Sequence, residues 1–308
     1  MPHSANVASF IASHGNTWTL AVNSACEEFF EECHVVAGTL AGSPSQCIKD
    51  VAYGPHERNR LDIFRPVSER SASSDRAPVV VYFHGGGFRA GDNKISEHIH
   101  ANIGERYHHV SVHGVLATYR LLPEANYPDG VEDVTMALRW LKDHAAEYGG
   151  DKNNIFAIGQ SAGGAHLAMA LFSGEMRGRE CLPRGLVFQS APFWYDLTQE
   201  RRRANMAKYY KSEDTEEILS NCALNLFRRL GPVEDLGTQL YITVGEFDPE
   251  EIVKGNLMML DALIMQIRRL PQFEVLMGHN HISYALGIGL EGDEVGPKIL
   301  DFIRQQKD

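Results

Sequence analysis

From residue 61 onward, short apolar runs alternate with stretches whose apolar positions recur every three or four residues. Leu61 to Phe64, Val79 to Phe83, Val110 to Tyr119, Ile155 to Ile158, Leu186 to Ser190, Leu240 to Val244 and Phe273 to Met277 are rich in β-branched and aromatic residues and read as strands. Between them, Ser96 to Tyr107, Asp129 to His144 and Ala165 to Phe172 read as helices. Val131, Val134, Leu138 and Leu141 mark one face of the second. Strands that alternate with helices predict an α/β chain, with a mostly parallel central sheet and helices on both faces. Sites on such sheets gather at the carboxyl ends of the strands.

Three segments depart from the alternation. Residues 1–50 mix helical and loop signals, with helical spacing from Trp18 to Val35. Ser68 to Arg76 is a polar, serine-rich loop. Trp194 to Gly237 shows no strand signal; it is helical, charged and longer than a simple crossover. The expected organisation is an N-terminal helical segment over 1–50 and one α/β domain over 51–308, with an insertion at 194–237.

A chain of 308 residues with 44% hydrophobic composition is long enough to bury one sizeable core. Its net charge of −11 argues against a nucleic-acid-binding surface, which needs a basic stripe. The basic run Arg201-Arg202-Arg203 is flanked by Glu200 and Glu213, as on a solvated helix face. Cys26, Cys33, Cys47, Cys181 and Cys222 are scattered, odd in number and without metal-ligand spacing, which suits reduced thiols. Met1 to Asn23 lacks the basic-then-apolar order of a signal peptide, and Gln305 to Asp308 carries no retention or lipidation signal. No apolar stretch approaches the ~20 residues that span a bilayer. A cytoplasmic protein is expected.

The chemistry concentrates in two glycine-rich motifs. Gly159-Gln160-Ser161-Ala162-Gly163 is a G-x-S-x-G sequence between an expected strand and an expected helix, the setting of a nucleophile elbow. The serine of such an elbow sits on a sharp turn where a flanking Cβ would collide, and the helix behind it aims its free N–H groups toward the hydroxyl. His84-Gly85-Gly86-Gly87-Phe88 follows the run Val79 to Phe83. A phosphate loop is the rival reading of its glycines, but the lysine and Ser/Thr of such a loop are missing. A serine also needs a general base, and the base an orienting acid. Candidates lie in order beyond two later strands: Glu246 or Asp248 in Gly245-Glu246-Phe247-Asp248-Pro249, and His279 or His281 in Gly278-His279-Asn280-His281-Ile282. His108, His109, His144 and His166 have no partner pattern and read as surface or packing residues.

Together these motifs resemble the α/β-hydrolase fold, in its branch of HGGG-type carboxylesterases and lipases (the hormone-sensitive-lipase-like group), with kynurenine formamidases as relatives of the pattern. The similarity runs from about Val51 to the C-terminus and includes Tyr119-Arg120-Leu121-Leu122-Pro123-Glu124, which is similar to the Y-R-L-A-P-E stretch of that group, with Leu122 in place of alanine. The resemblance implies Ser161 as nucleophile, Asp248 as acid and His281 as base. It implies Gly86, Gly87 and Ala162 as oxyanion donors, with His84 shaping the loop. It also implies a helical cap at 194–237, to which the N-terminal segment contributes; the plainer alternative is a crossover helix with a long loop. Phe88, Trp194, Tyr195 and Tyr210 are candidate pocket residues.

The expected activity is hydrolysis of a carboxylic ester through an acyl-enzyme, with no metal or organic cofactor implied. Arylformamidase action on N-formylkynurenine, acyl transfer or thioester cleavage by the same triad, and a non-catalytic ligand-binding protein are the alternatives. The expected partner is a small ester or amide substrate, without nucleic acid or a membrane span, and a homodimer is left open.

Overall fold

The protein, seen in a computed structural model, is described over residues 4–39, 46–65, 77–108, 112–178 and 180–306. Eight strands form one sheet: β1 (Gln46–Ala52), β2 (Arg60–Arg65), β3 (Ala77–Phe83), β4 (His113–Ala117), β5 (Gly150–Gln160), β6 (Gly185–Gln189), β7 (Gln239–Phe247) and β8 (Gln272–Asn280). Their spatial order is β1-β2-β4-β3-β5-β6-β7-β8. β1 and β2 pair antiparallel, as do β2 and β4, and every later pair is parallel.

The helices are α1 (Ser4–His14), α2 (Leu20–Ala37), α3 (Ala101–His108), α4 (Asp129–His144), α5 (Ala162–Phe172), α6 (Glu175–Gly178), α7 (Glu200–Tyr210), α8 (Thr215–Ser220), α9 (Ala223–Leu230), α10 (Glu250–Ile267), α11 (Ser283–Leu286) and α12 (Val295–Gln305). Their apolar stripes decide which face of the sheet they cover. In β3, Val79, Val81 and Phe83 face the core under α4, α5, α9 and α10. Val80 and Tyr82 face the opposite core, under α3, α11 and α12. A strand covered on both sides has no polar position to spare, which is why β3 reads as an unbroken apolar run. Every residue of α5 is buried, so the nucleophile motif opens a fully enclosed helix.

A third, smaller core joins α1 and α2 to the far end of the chain. Ile11, Cys26 and Phe30 pack with Ile99, Ile282 and Leu286. α2 starts on the Thr19 hydroxyl, which accepts from Val22 N at 3.2 Å, and ends on Gly38 at φ 64.

Some expectations fail locally. The strand β1 begins inside the segment expected to be helix and loop and crosses its boundary at residue 50; Lys49 and Asp50 break its apolar pattern, and its pairing with β2 shifts between Ile48 and Val51. The helix expected from Ser96 begins only at Ala101. His100 has φ 74, and the Ser96 hydroxyl is turned toward Glu31 on α2, so the chain before Ala101 is not helical. The strand expected from Val110 to Tyr119 spans His113–Ala117, with Thr118 N donating to Arg60 O beyond its end. The polar loop at 68–76, His109 and Val110 lie outside the described residues.

The Tyr119-Arg120 stretch anchors α4 to the sheet. Asp133 on α4 is fully buried; it accepts from Arg120 N at 2.8 Å and from Arg120 Nε at 3.0 Å. Asp133→Ala takes the acceptor from Arg120 N and Nε, while Arg120 Nη1 keeps Asp129 Oδ1 at 3.3 Å. The expected cost is about 1.5–3 kcal/mol of unfolding free energy, from loss of bonds to a charged group. A urea melt with an unchanged midpoint would contradict this account of the clamp.

Candidate active site

Ser161 joins β5 to α5 at φ 48 and ψ −115, a region that L-residues seldom occupy. Neighbouring backbone holds it there. Ser161 N donates to Gln189 O on β6 at 2.9 Å, and Ala165 N closes the first turn onto Ser161 O at 3.0 Å. Gly163 rides directly on the end of β3: a Cβ there would stand 2.3 Å from Phe83 O and 2.6 Å from His84 O. Only glycine permits that approach.

The loop after β3 is the other side of this contact. Gly86 and Gly87 have φ 121 and 61, and Arg89 N and Ala90 N fold back onto Gly86 O at 3.1 and 3.0 Å. Among the described residues, no backbone hydrogen bond outside the regular elements uses the N–H groups of Gly86, Gly87 or Ala162. His84 braces the loop. Its Nδ1 lies 2.7 Å from Gly85 O, so that nitrogen carries the proton, and its Nε2 accepts from the Thr118 hydroxyl at 3.1 Å. Tyr119 stacks on the His84 ring and donates to His84 O at 2.7 Å.

β7 and β8 supply the remaining groups. His281 Nε2 lies 2.8 Å from Ser161 Oγ, and its Nδ1 lies 2.6 Å from Asp248 Oδ1. Nδ1–H donates to the carboxylate, which leaves the Nε2 lone pair facing the serine hydroxyl. Asp248 Oδ2 accepts from Ser190 Oγ and from Gly245 N, both at 2.6 Å, so both carboxylate oxygens are committed and the plane is fixed. All three groups are buried.

The competing residues stand elsewhere. Glu246 is exposed and accepts from Gly278 N at 2.7 Å. His279 Nδ1 lies 3.1 Å from Ser283 Oγ, and burial lowers the pKa of that ring. The structure thus brings Ser161, Asp248 and His281 together and leaves Glu246 and His279 outside the array.

Sequence reasoning did not single out several neighbours. Ser190, at φ 49 just past β6, orients the acid. Gln160 donates from Nε2 to His281 O at 2.9 Å. The Trp18 ring stands edge-on to His281, with centroids 5.0 Å apart. In the sequence Gln160 is only a variable position of the G-x-S-x-G motif, Ser190 a polar residue closing an apolar strand, and Trp18 one apolar position of a helical pattern. Of the candidate pocket residues, Phe88, Tyr195 and Tyr210 are buried in the core. Phe88 stacks on Tyr209, Tyr209 meets Tyr210, and the Tyr210 and Tyr195 hydroxyls lie 3.3 Å apart. Trp194 is half-buried, with Lys254 Nζ 4.9 Å from its ring centroid.

Solved structures share this architecture from end to end. A structure described as an arylesterase aligns over 100% of both chains with a TM-score of 0.66 and 20% identity. A hyperthermophilic esterase from Pyrobaculum calidifontis aligns over 99% of both, with a TM-score of 0.68 and 20% identity. By fold, the chain is an α/β-hydrolase.

Sequence similarity is more local. The BD-FAE family model matches residues 61–184 of the chain, from β2 to the edge of β6. Carboxylesterase NlhH of Mycobacterium tuberculosis is 39% identical over 127 residues, which cover 40% of this chain and 36% of that protein. Esterase LipI of the same species is 38% identical over 125 residues, 40% of this chain and 35% of its own. The chain therefore spans about a third of the length of the curated relatives it matches. The resemblance to carboxylesterases drawn from the two glycine motifs is borne out; a relation to kynurenine formamidases is not shown by these matches. No helix among the described residues is long and apolar enough to cross a membrane.

Two expectations follow from the geometry. His281→Ala should abolish turnover of an ester substrate, whereas His279→Ala should retain most of it; an equal loss in steady-state assays would reassign the base. The second concerns acid. Burial pushes the His100 and His166 imidazoles down to about 4 and about 3, and His84 well below its ordinary value. An unfolded histidine titrates near ~6.5, so between ~4 and ~6.5 the unfolded chain binds more protons than the folded one. Stability contributed by these rings is complete above ~6.5 and is lost as pH falls through that window. Urea midpoints should drop from pH ~7 to ~5, with proton uptake on unfolding; a flat midpoint would refute it.

Proposed function

We propose that this chain hydrolyses carboxylic esters through an acyl-enzyme intermediate. The observation that carries the reading is His281 Nε2 at 2.8 Å from Ser161 Oγ, with Nδ1 held at 2.6 Å by Asp248. The similarity to a carboxylesterase at 39% identity and to an esterase at 38% supports the same class. Ser161 Oγ attacks the ester carbonyl carbon while its proton passes to Nε2. Negative charge develops on the carbonyl oxygen, where the N–H groups of Gly86, Gly87 and Ala162 receive it. One such donor is typically worth ~100- to 1,000-fold in rate. Collapse breaks the carbon–oxygen bond, and the leaving alkoxide takes the proton from His281. Water then adds to the acyl-serine with His281 as base, releasing the acid and restoring Ser161.

In this reading the strand-free segment with α7 and α8 acts as a cap over the site, while α9 packs on the sheet face and Phe88, Tyr209, Tyr210 and Tyr195 form a buried aromatic row. A reducing compartment, the cytoplasm, is proposed from the five unbridged cysteines.

Incubation with a fluorophosphonate probe and assay on p-nitrophenyl esters of increasing chain length, with N-formylkynurenine in parallel, tests the reading. The wild-type chain should label and turn over esters, and Ser161→Ala should lose label and on the order of a million-fold in kcat. Turnover of N-formylkynurenine alone would replace the esterase reading by a formamidase, and near-normal ester turnover by clean Ser161→Ala would end it.

A further inference from the structure

β5, β6 and β7 set Gln160, Gln189 and Thr243 side by side, since Gln160 pairs with Gln189 and Gln189 with Thr243. Two residues earlier on the same strands, Ile158, Val187 and Tyr241 all face the core under α11 and α12. Strand alternation therefore puts the three polar side chains on that same face, in one row across the carboxyl end of the sheet. All three are buried.

Gln160 uses its Nε2 on His281 O at 2.9 Å and on the Tyr284 hydroxyl at 3.3 Å. The next two members of the row have no such outlet. Among the described residues, neither Oε1 nor Nε2 of Gln189 has a hydrogen-bond partner, nor does Thr243 Oγ1, although each atom is sealed from solvent. Polar atoms in that position carry their desolvation penalty in full, so they are normally paired, commonly by ordered water. Water suits this set. It has two donors and two acceptors, a buried water needs two to four polar partners, and an amide plus a hydroxyl offers both kinds.

The place is informative. The Gln189 carbonyl accepts Ser161 N, and the next residue, Ser190, holds Asp248. Tyr284, whose phenol burial keeps protonated, lies beside Ser190 and shares the Gln160 amide with His281 O. The row thus runs directly behind the groups that fix the nucleophile, the acid and the base.

We propose that Gln189 and Thr243 form an internal water-binding site behind the Ser161–His281–Asp248 array, and that through Gln160, the neighbour of Gln189 in the row and the donor to His281 O, this site makes Gln189 and Thr243 positioning residues for His281. The water-binding part stands on the buried polar atoms alone; the kinetic part rests on the esterase reading above.

A high-resolution crystal structure of the full chain, with Gln189→Met, Thr243→Val and Thr243→Ser variants, tests it. Ordered water is expected within ~2.7–3.2 Å of Gln189 and Thr243 Oγ1, absent from the Met and Val variants and retained with Ser. On an ester substrate, Gln189→Met and Thr243→Val should each lose on the order of 10-fold in kcat with KM unchanged, as small misplacements of a base do. The acidic limb of their kcat/KM profile should move, and Thr243→Ser should recover most of the rate. A dry site, with the Gln189 amide bonded directly to Thr243 or Tyr284, overturns the water site. A hydrated wild type beside Met and Val variants of native kcat and pH profile overturns the positioning role. If Gln189→Met does not fold, the Thr243 pair still decides. If the chain turns over no ester at all, the esterase reading fails while the electron density at Gln189 still answers for the water.

Discussion

The first turn of α5 lies on the carbonyls of Phe83 and His84 at a distance that leaves no room for a single carbon atom on Gly163. That contact locks two separate pieces of chemistry to one another. The serine end of β5 and the glycine loop after β3 cannot move independently, because parallel pairing joins their strands and the helix start clamps their ends. The unusual torsion angles of Ser161 persist for the same reason. An isolated turn would relax them, but here the serine N–H is fixed by β6 and its carbonyl by the first turn of α5.

Outward from that clamp, each strand end is tied to the next. Ser161 N reaches Gln189 O on β6, Ser190 N reaches Thr243 O on β7, and Ser190 Oγ reaches Asp248 beyond β7. Gln160 closes the circuit from β5 to the loop after β8. The array is therefore set by the spacing of a parallel sheet, a rigid ruler, with short side-chain bonds making the last adjustment.

How much of this the residues announce depends on the range over which each position is determined. α4 runs from Asp129 to His144 just as its apolar face indicates, because that face and its breakers are local. The strands β3, β5, β6 and β7 are legible as apolar runs for the same reason. β1 is not: it is an edge strand whose Lys49 and Asp50 face outward, and only its pairing with β2 makes it a strand. The start of α3 was misread because the Ser96 hydroxyl turns to Glu31, 65 residues away, rather than continuing a helix. In the site, Ser161, Asp248 and His281 could be picked out because each sits in a short motif at a strand end. Ser190 and Gln160 could not, since their meaning comes from partners 58 and 121 residues distant.

The small third core joins the beginning of the chain to its end. His34 Nε2 bonds Leu286 O across 252 residues, Asn280 reaches Cys26 Sγ across 254, and Trp18 rests against His281. α1 and α2 leave the ribosome before every strand, yet Ile282 and Leu286, against which they pack, are made only after β8. Contacts of such separation close late, after the loop entropy between them has been overcome. During synthesis these helices have no completed surface to rest on, and their apolar faces stay open until the last strand arrives. The ring of Trp18 thus reaches His281 only after β8 and the loop beyond it have been made.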